Sequence, residues 1–373
     1  MVKNGLIIIV LILLVMVGVI VVYQKIFDNE SKISTINDTE LSLNDSENIV
    51  SDNSSLNNTT EDSKESNSKL IVAKTGDAKF RTIQSALDMS QPGDIILVRD
   101  GVYKEKLEWN TSGTESAPII LKNYPRESPV IEPLGTNYKD YVAMNGQWLI
   151  LEGFEIRNGW DGVVINASNN IIRGNHIHNN GDACLVKVFC GQGILIVSAS
   201  NITIEDNLIE HNGLINYSPW HVHGIYVSDY YKKGISNIVI KENVLREHGG
   251  AGIHLYNPTQ RINGVYIEDN TFENNALEMV LTNVDNAKVS HNMVVHNSYP
   301  PTDAPRTAVI WIEQGKNILF EYNIFKYGIP KTEKLPAYLV YYGSQDKKQL
   351  TFLNNTWEMS GDYPNVTDLD IVK

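Results

Sequence analysis

The chain has 373 residues, a formal net charge of −13, 42% hydrophobic and 20% charged residues, 18 Tyr, 6 Trp and 2 Cys. That hydrophobic and aromatic content excludes a wholly disordered chain, and so small a charged fraction excludes a long coiled coil. No segment is basic enough for nucleic acid as a partner, and two cysteines outside any CxxC pair exclude zinc ribbons and thioredoxin-like chemistry.

Residues 5–23 are an uncharged run of Ile, Leu and Val. As a helix rising about 1.5 Å per residue, this run nearly crosses a roughly 30 Å hydrocarbon core. It exceeds the roughly 7–15 apolar residues of a cleaved signal peptide, and no A-x-A-like site follows. Residues 1–27 are therefore expected to form an uncleaved transmembrane signal anchor, with Lys3 ahead of the span favouring a cytoplasmic N-terminus. Residues 28–68 hold ten acids and two lysines among Asn, Ser and Thr, with no sustained apolar period. Such a segment cannot bury enough surface to offset its ordering entropy, and it reads as a disordered tether spanning roughly 35 Å. N-x-S/T sequons at Asn37, Asn53, Asn58, Asn110, Asn201 and Asn216 fit an extracytoplasmic setting.

Residues 69–373 read as one all-β domain. Residues 80–89 have the pattern of a short amphipathic helix that caps the open end of a solenoid, followed by short strands at Ile95-Ile96-Leu97-Val98 and Val102-Tyr103. From about Trp148 one phrase recurs, an alternating apolar strand ending in Asn, at Asn175, Asn207, Asn243, Asn270, Asn292, Asn323 and Asn355. The steps are 32, 36, 27, 22, 31 and 32 residues, with no amphipathic helix between strands. A minimal period near 22 residues in period-2 strands specifies a right-handed parallel β-helix solenoid, in which the asparagines stack as a scaffold ladder.

The segments FRTIQSALDMSQPGDIILVRDGVYKEKL and SGTESAPIILKN resemble the opening of pectin-lyase-like β-helix proteins, over roughly residues 69–360. That group contains secreted polysaccharide lyases, epimerases and NosD-like periplasmic proteins. The resemblance implies the fold, and a polysaccharide or cell-surface glycan as partner.

Candidate chemistry sits on one outward face. The strands DGVVI, QGILI, HGIYV, AGIHL, EMVL and AVIWI align with Val163, Ile194, Ile225, Ile253, Met279 and Val309 inward. Val164, Leu195, Tyr226, His254, Val280 and Ile310 then point outward. Only Tyr226 and His254, on adjacent coils, break this aliphatic column, with His223 just before Gly224. A His can take the C5 proton of a uronate and a Tyr hydroxyl can donate one, so His254 and Tyr226 are read as base and acid, with His223 or His221 assisting. Loop insertions near 179–191, 211–223, 229–236 and 256–262 would wall this face. Trp220, Tyr217, Tyr230, Tyr231 and Tyr256 would line the rim and stack on sugars. Lys187, Arg246 and Lys241 are candidates to neutralise the uronate carboxylate, and Glu278 and Asp161 are the acids placed near the strand openings.

The remaining polar residues have plainer readings. His176, His178, His211, His248, His291 and His296 read as solvated surface residues. Cys184 and Cys190, in one inserted loop, are expected to pair as a disulfide. His221, His223 and His254 could instead bind a metal, but no metal and no cofactor is assigned. The adjacent Asp pair and Arg-x-Lys of polygalacturonase-type hydrolases and the acid cluster of calcium-dependent lyases are absent from the motifs. The expected function is a membrane-anchored protein acting on uronates as lyase or epimerase. The alternatives are a non-catalytic carbohydrate-binding or surface-structural protein, and a NosD-like metal or cofactor assembly protein.

Overall fold

The structure is a computed structural model that describes residues 69–133, 141–181, 191–213, 222–257, 259–296, 308–328, 338–342 and 347–359. The expected anchor, the tether and four of the sequons (Asn37, Asn53, Asn58 and Asn216) lie outside the described residues. Among the described residues no helix is long and apolar enough to cross a membrane.

Short strands with β-branched residues at every second position wind into a right-handed parallel β-helix. Among the described residues its sides are sheets of 11, 10 and 9 strands, each internal strand hydrogen-bonded to its equivalents one coil before and one coil after. In the eleven-stranded sheet, Asn170–Arg173 pairs with Leu149–Glu152 on one side and Ile202–Glu205 on the other. Ile194, Ile225, Ile253 and Met279 follow one another in register and are fully buried, forming one inward stack of a continuous core. Coils spaced about 4.8 Å apart bury each apolar side chain against its copies above and below.

The asparagine ladder runs as expected. Asn175 Nδ2 donates to Asn207 Oδ1 at 3.1 Å, and the chain continues to Asn243 (2.9 Å), Asn270 (3.0 Å), Asn292 (3.0 Å), Asn323 (2.9 Å) and Asn355 (2.9 Å). Each Oδ1 also accepts the backbone N–H of the preceding ladder residue, as Asn243 does from Asn207. The ladder compensates a strained turn. The residue before each of the last six asparagines, Asp206, Glu242, Asp269, His291, Tyr322 and Asn354, has φ between 53° and 57°, whereas earlier turns use Gly153 and Gly174. Left-handed backbone costs a non-glycine residue roughly 1–2 kcal/mol, which the paired amides offset.

A second buried ladder, five residues further on, was not anticipated. Asn180 Nδ2 donates to Asn212 Oδ1 (2.9 Å), Asn212 N–H donates to His248 Nδ1 (3.2 Å), and His248 N–H donates to Asn275 Oδ1 (3.1 Å). His248 is thus a buried stand-in for asparagine, not a surface residue. His296 is likewise buried, against Glu278. By contrast His176 pairs with Glu210 and His211 with Glu247 on the outside.

The short helix occupies Ile83–Leu87, inside the expected 80–89. Thr82 Oγ1 accepts the Ser85 N–H, and Glu105 from the next coil accepts the N–H groups of Ile83 and Gln84, so three orphan donors of the first turn are satisfied. Ile83, Ala86 and Leu87 face the core.

The three outer faces differ in charge. On the eleven-stranded sheet Lys122, Glu152, Arg173, Glu205, Lys241 and Glu268 follow in register with alternating sign, and Arg173 lies 2.8 Å from Glu152 and Lys241 3.1 Å from Glu205. The ten-stranded sheet carries similar pairs, among them Arg246 with Glu210 at 2.6 Å. Lys241 and Arg246 are therefore used on these two faces and do not serve the third as carboxylate partners. On the nine-stranded sheet the outward column begins with exposed Glu108 and then reads Ala143, Val164, Leu195, Tyr226, His254, Val280 and Trp311, without a further charge over those coils. Its last member corrects the expected register by one residue. Ile310, not Val309, pairs with Met279, so Trp311 rather than Ile310 continues the column. The strand lacks the glycine that stands at 162, 193, 224 and 252 in earlier coils, and in Val309-Ile310 alternation alone fits either offset.

Candidate functional site

The strands Ile225–Ser228 and Ala251–Tyr256 lie side by side in the nine-stranded sheet, with Tyr226 opposite His254 and Ser228 opposite Tyr256. Period-2 alternation turns these four side chains outward while Ile225, Val227, Ile253 and Leu255 fill the core. The rings touch: Tyr226 and His254 have centroids 5.2 Å apart, His254 and Tyr256 5.6 Å. His223 joins them from the turn just before Gly224, 4.5 Å from the His254 ring and nearly perpendicular to it, and 5.2 Å from Tyr226. The structure therefore brings together all three sequence-predicted catalytic candidates.

His223 occupies a register position with a backbone duty. Asp161, Gln192, His223 and Ala251 each stand two residues before an in-register core residue. Asp161 accepts the Gln192 N–H at 2.8 Å, and in the same way His223 Nδ1 accepts the Ala251 N–H at 3.1 Å. Unlike a carboxylate, an imidazole has a second nitrogen. His223 Nε2 lies 2.9 Å from His254 Nδ1, a hydrogen bond between two nearly buried rings that are 1% and 5% exposed.

Tyr226 is half-buried, and burial pushes its phenol up to about 12 against a hydrogen bond to Ser228 that pulls the other way. Its hydroxyl keeps its proton at any physiological pH and is a donor, not a base. Behind Tyr256, buried Asp229 accepts the Lys233 and Gly234 N–H groups at 2.9 and 2.8 Å and the Asn257 amide at 3.3 Å, bracing the 229–234 turn against the next coil. That turn holds Tyr230 and Tyr231 exposed, their rings edge to face at 5.2 Å. Tyr230 and Tyr256, expected on the rim, are thus solvent-exposed aromatics near the cluster's border.

Glu278, placed by the sequence near a strand opening as a candidate to bind substrate, does not face the groove. It is fully buried at the turn, where its carboxylate accepts the Asn275 amide at 2.6 Å and meets His296 Nδ1 at 2.5 Å, so no external ligand reaches it. Parity failed there because Glu278 stands at the position that Gly162, Gly193, Gly224 and Gly252 occupy in earlier coils, where the chain bends and alternation no longer assigns a side. At Gly224 a Cβ would stand 2.5 Å from His248 Nε2. Lys187, Trp220, His221, Tyr217, Cys184 and Cys190 lie outside the described residues. Sequence reasoning missed Ser228 and the row it shares with Val197, Tyr256, Thr282 and Glu313; the same alternation, carried two residues further, would have found it. Among the described residues no group of three or more His, Cys, Asp or Glu could hold a metal ion.

Two family models match consecutive stretches: the Pel9A-like right-handed β-helix region over residues 65–206 and the right-handed β-helix region over residues 220–363. This chain is a pectin-lyase-like right-handed β-helix protein. Among solved structures, the β-helix protein is similar to an alginate lyase from Paenibacillus sp. str. FPU-7, with a TM-score of 0.56 and 19% identity, over 75% of this chain and 93% of that one. The pectate lyase Pel9A matches at a TM-score of 0.48 and 15% identity, over 79% of this chain and 78% of that one. Among curated proteins, 57 residues are 37% identical to the Bacillus subtilis (strain 168) protein named Uncharacterized protein YwoF. That stretch is 15% of this chain and spans only 12% of the relative's length.

Proposed function

We propose that this β-helix protein acts on an acidic polysaccharide laid against the outer face of the nine-stranded sheet, by proton transfer at the α-carbon of a uronate. The observation that carries the reading is the in-register cluster of Tyr226 and His254, joined by His223, flanked on the coils before and after by apolar members of the same column, Leu195 and Val280. The alginate lyase with a similar fold supports the substrate class. β-Elimination breaks the C5–H and C4–O bonds, forms a C4=C5 double bond and returns a proton to the leaving oxygen. The Tyr226 hydroxyl is suited to that last step, because burial keeps it protonated. The exposed rings of Tyr230, Tyr231 and Tyr256 would stack on neighbouring sugars. In the same reading the helix Ile83–Leu87 covers the N-terminal end of the solenoid, and residues 5–23 anchor the chain with the solenoid on the extracytoplasmic side.

The test follows ultraviolet absorbance of the unsaturated uronate when the protein meets pectic, alginate and glycosaminoglycan polymers. Turnover is expected on one of them, falling about 10²-fold or more in Tyr226→Phe and in His254→Ala. Absence of turnover on every polymer, with binding that depends on Tyr231 and Tyr256, would replace the lyase reading by a carbohydrate-binding one.

A further inference from the structure

The histidine pair carries more than proximity, because its protons can be assigned. A backbone N–H cannot act as acceptor, so the Ala251 N–H must donate into the Nδ1 lone pair of His223. The proton of His223 therefore sits on Nε2. That nitrogen faces His254 Nδ1 at 2.9 Å, so it donates, and His254 Nδ1 must supply the lone pair. The proton of His254 is then on its Nε2. The reverse arrangement, with His254 Nδ1–H donating, needs an unprotonated His223 Nε2. A neutral His223 would then carry its proton on Nδ1, directed at the Ala251 N–H. The backbone of one coil thus dictates the tautomer of a ring on its own strand through a ring of the preceding coil.

The geometry points to His223 as a positioning residue that holds His254 in the Nε2–H tautomer, so that His254 meets the substrate as a hydrogen-bond donor to an anionic oxygen, the carboxylate of a uronate. This rests on the function proposed above and deepens it. An imidazole whose only in-plane lone pair is occupied by its neighbour's N–H cannot take the C5 proton; in this reading a water molecule takes it and passes it to the Tyr226 oxygen as Tyr226 gives its own proton to the leaving oxygen, so the protons balance. A neutral N–H on a nearly buried ring is suited to the other requirement of the reaction. It steadies charge that grows on the carboxylate as C5 is deprotonated, in surroundings of low polarity where such a bond is strong. Near-burial of both rings and the perpendicular packing of His223 on His254 hold the relay in one geometry. The same register position offers a conservative substitute. Gln192 stands one coil earlier, and a glutamine at 223 can accept the Ala251 N–H with Oε1 while donating to His254 with Nε2.

The experiment has a spectroscopic arm and an activity arm, both on the full chain. Selective ¹⁵N-histidine labelling with long-range ¹H–¹⁵N spectra reads the tautomer of each ring, and His223→Gln and His254→Gln assign the two signals. Expected are Nε2–H tautomers for both rings at neutral pH, His254 unchanged in His223→Gln, and a tautomer mixture at His254 in His223→Leu. An Nδ1–H tautomer or a doubly protonated ring at either position overturns the relay whatever the activity. In the activity arm, His254→Gln keeps a donor but no ring nitrogen base, so it is expected to be at least tenfold more active than His254→Ala, and His223→Gln at least tenfold more active than His223→Leu. Equal inactivity of His254→Gln and His254→Ala, with an active parent, overturns the donor role. A parent inert on every uronate polymer overturns the substrate reading and the donor role built on it, while the spectra still decide the relay.

Discussion

At the scale of single residues, two buried titratable groups give this fold opposite responses to pH. His248 replaces an asparagine in the second ladder, and burial pushes it from 6.5 down to about 3. As pH falls below 6.5 the unfolded chain binds a proton there that the folded chain refuses, so stability drops by about 1.4 kcal/mol per pH unit. Asp161 is buried against the N–H groups of Gln192 and Gly191, and desolvation raises it from 3.8 to about 7. Between those values the folded chain holds a proton the unfolded chain has released, so stability drops as pH rises, by about the same 1.4 kcal/mol per unit. The two slopes oppose each other between about pH 4 and 6.5. Relative to the parent chain, His248→Asn is expected to gain stability as pH is lowered from 6.5, and Asp161→Asn as pH is raised from 4 to 7. Urea unfolding at several pH values reads both trends, and variant curves parallel to the parent would refute them. These residues were misread or undervalued in the sequence for one reason. Each sits on a turn, where strand parity gives no rule for inside and outside. Tyr226 and His254 were legible because they sit within strands whose glycines fix the register.

At the scale of the repeating element, the asparagine ladder satisfies the buried backbone groups of one turn in every coil, while the three sheets bury one another's apolar faces. Truncating an internal member, Asn243→Ala, removes the acceptor for the buried Asn207 N–H and the donors to Ile204 O, Lys241 O and Asn270. With each orphaned buried group costing about 1–3 kcal/mol, a loss of roughly 3 kcal/mol or more is expected. Asn355, at the ladder's end and half-buried, should lose about 1 kcal/mol when truncated, since fewer partners are left in a dry setting. Denaturant melts that rank the two variants equally would show that stacking of the coils, rather than the amide chain, carries the stability. The first ladder was readable from sequence because its asparagines close every strand phrase. The second, at Asn180, Asn212 and Asn275, was hidden by the histidine at 248, which interrupts the pattern while keeping the two backbone N–H links, Asn212 N–H to His248 Nδ1 and His248 N–H to Asn275 Oδ1.

At the scale of the whole molecule, the three faces of the solenoid divide the labour. Two outer faces are covered by charge ladders whose alternating signs pair along the axis, each pair worth little alone on an exposed surface. The third has no such charge ladder over the coils around residues 143–311, where one outward column is apolar and aromatic and holds the Tyr226–His254 cluster. A polymer running along the axis would meet repeated coils, which suits a repetitive substrate better than a small one. If residues 5–23 anchor the chain as proposed, the full-length protein is expected to sediment with membranes and resist extraction by high salt. Protease acting on the intact cell's exterior should then release a solenoid-sized fragment by cutting within 28–68. Recovery of the whole chain in the soluble fraction would remove the anchor.

By itself the sequence determined the solenoid, its first ladder and the adjacency of Tyr226 with His254, because in a parallel β-helix chain period translates directly into position: residues one coil apart become neighbours. Only the tertiary structure decided which turn-borne side chains lie inside and which partners face the ring nitrogens of His223 and His254. Those properties depend on hydrogen-bond partners supplied by neighbouring coils, 22 to 36 residues away for the ladder amides, and on bends where alternation breaks down. No pattern along the chain encodes them.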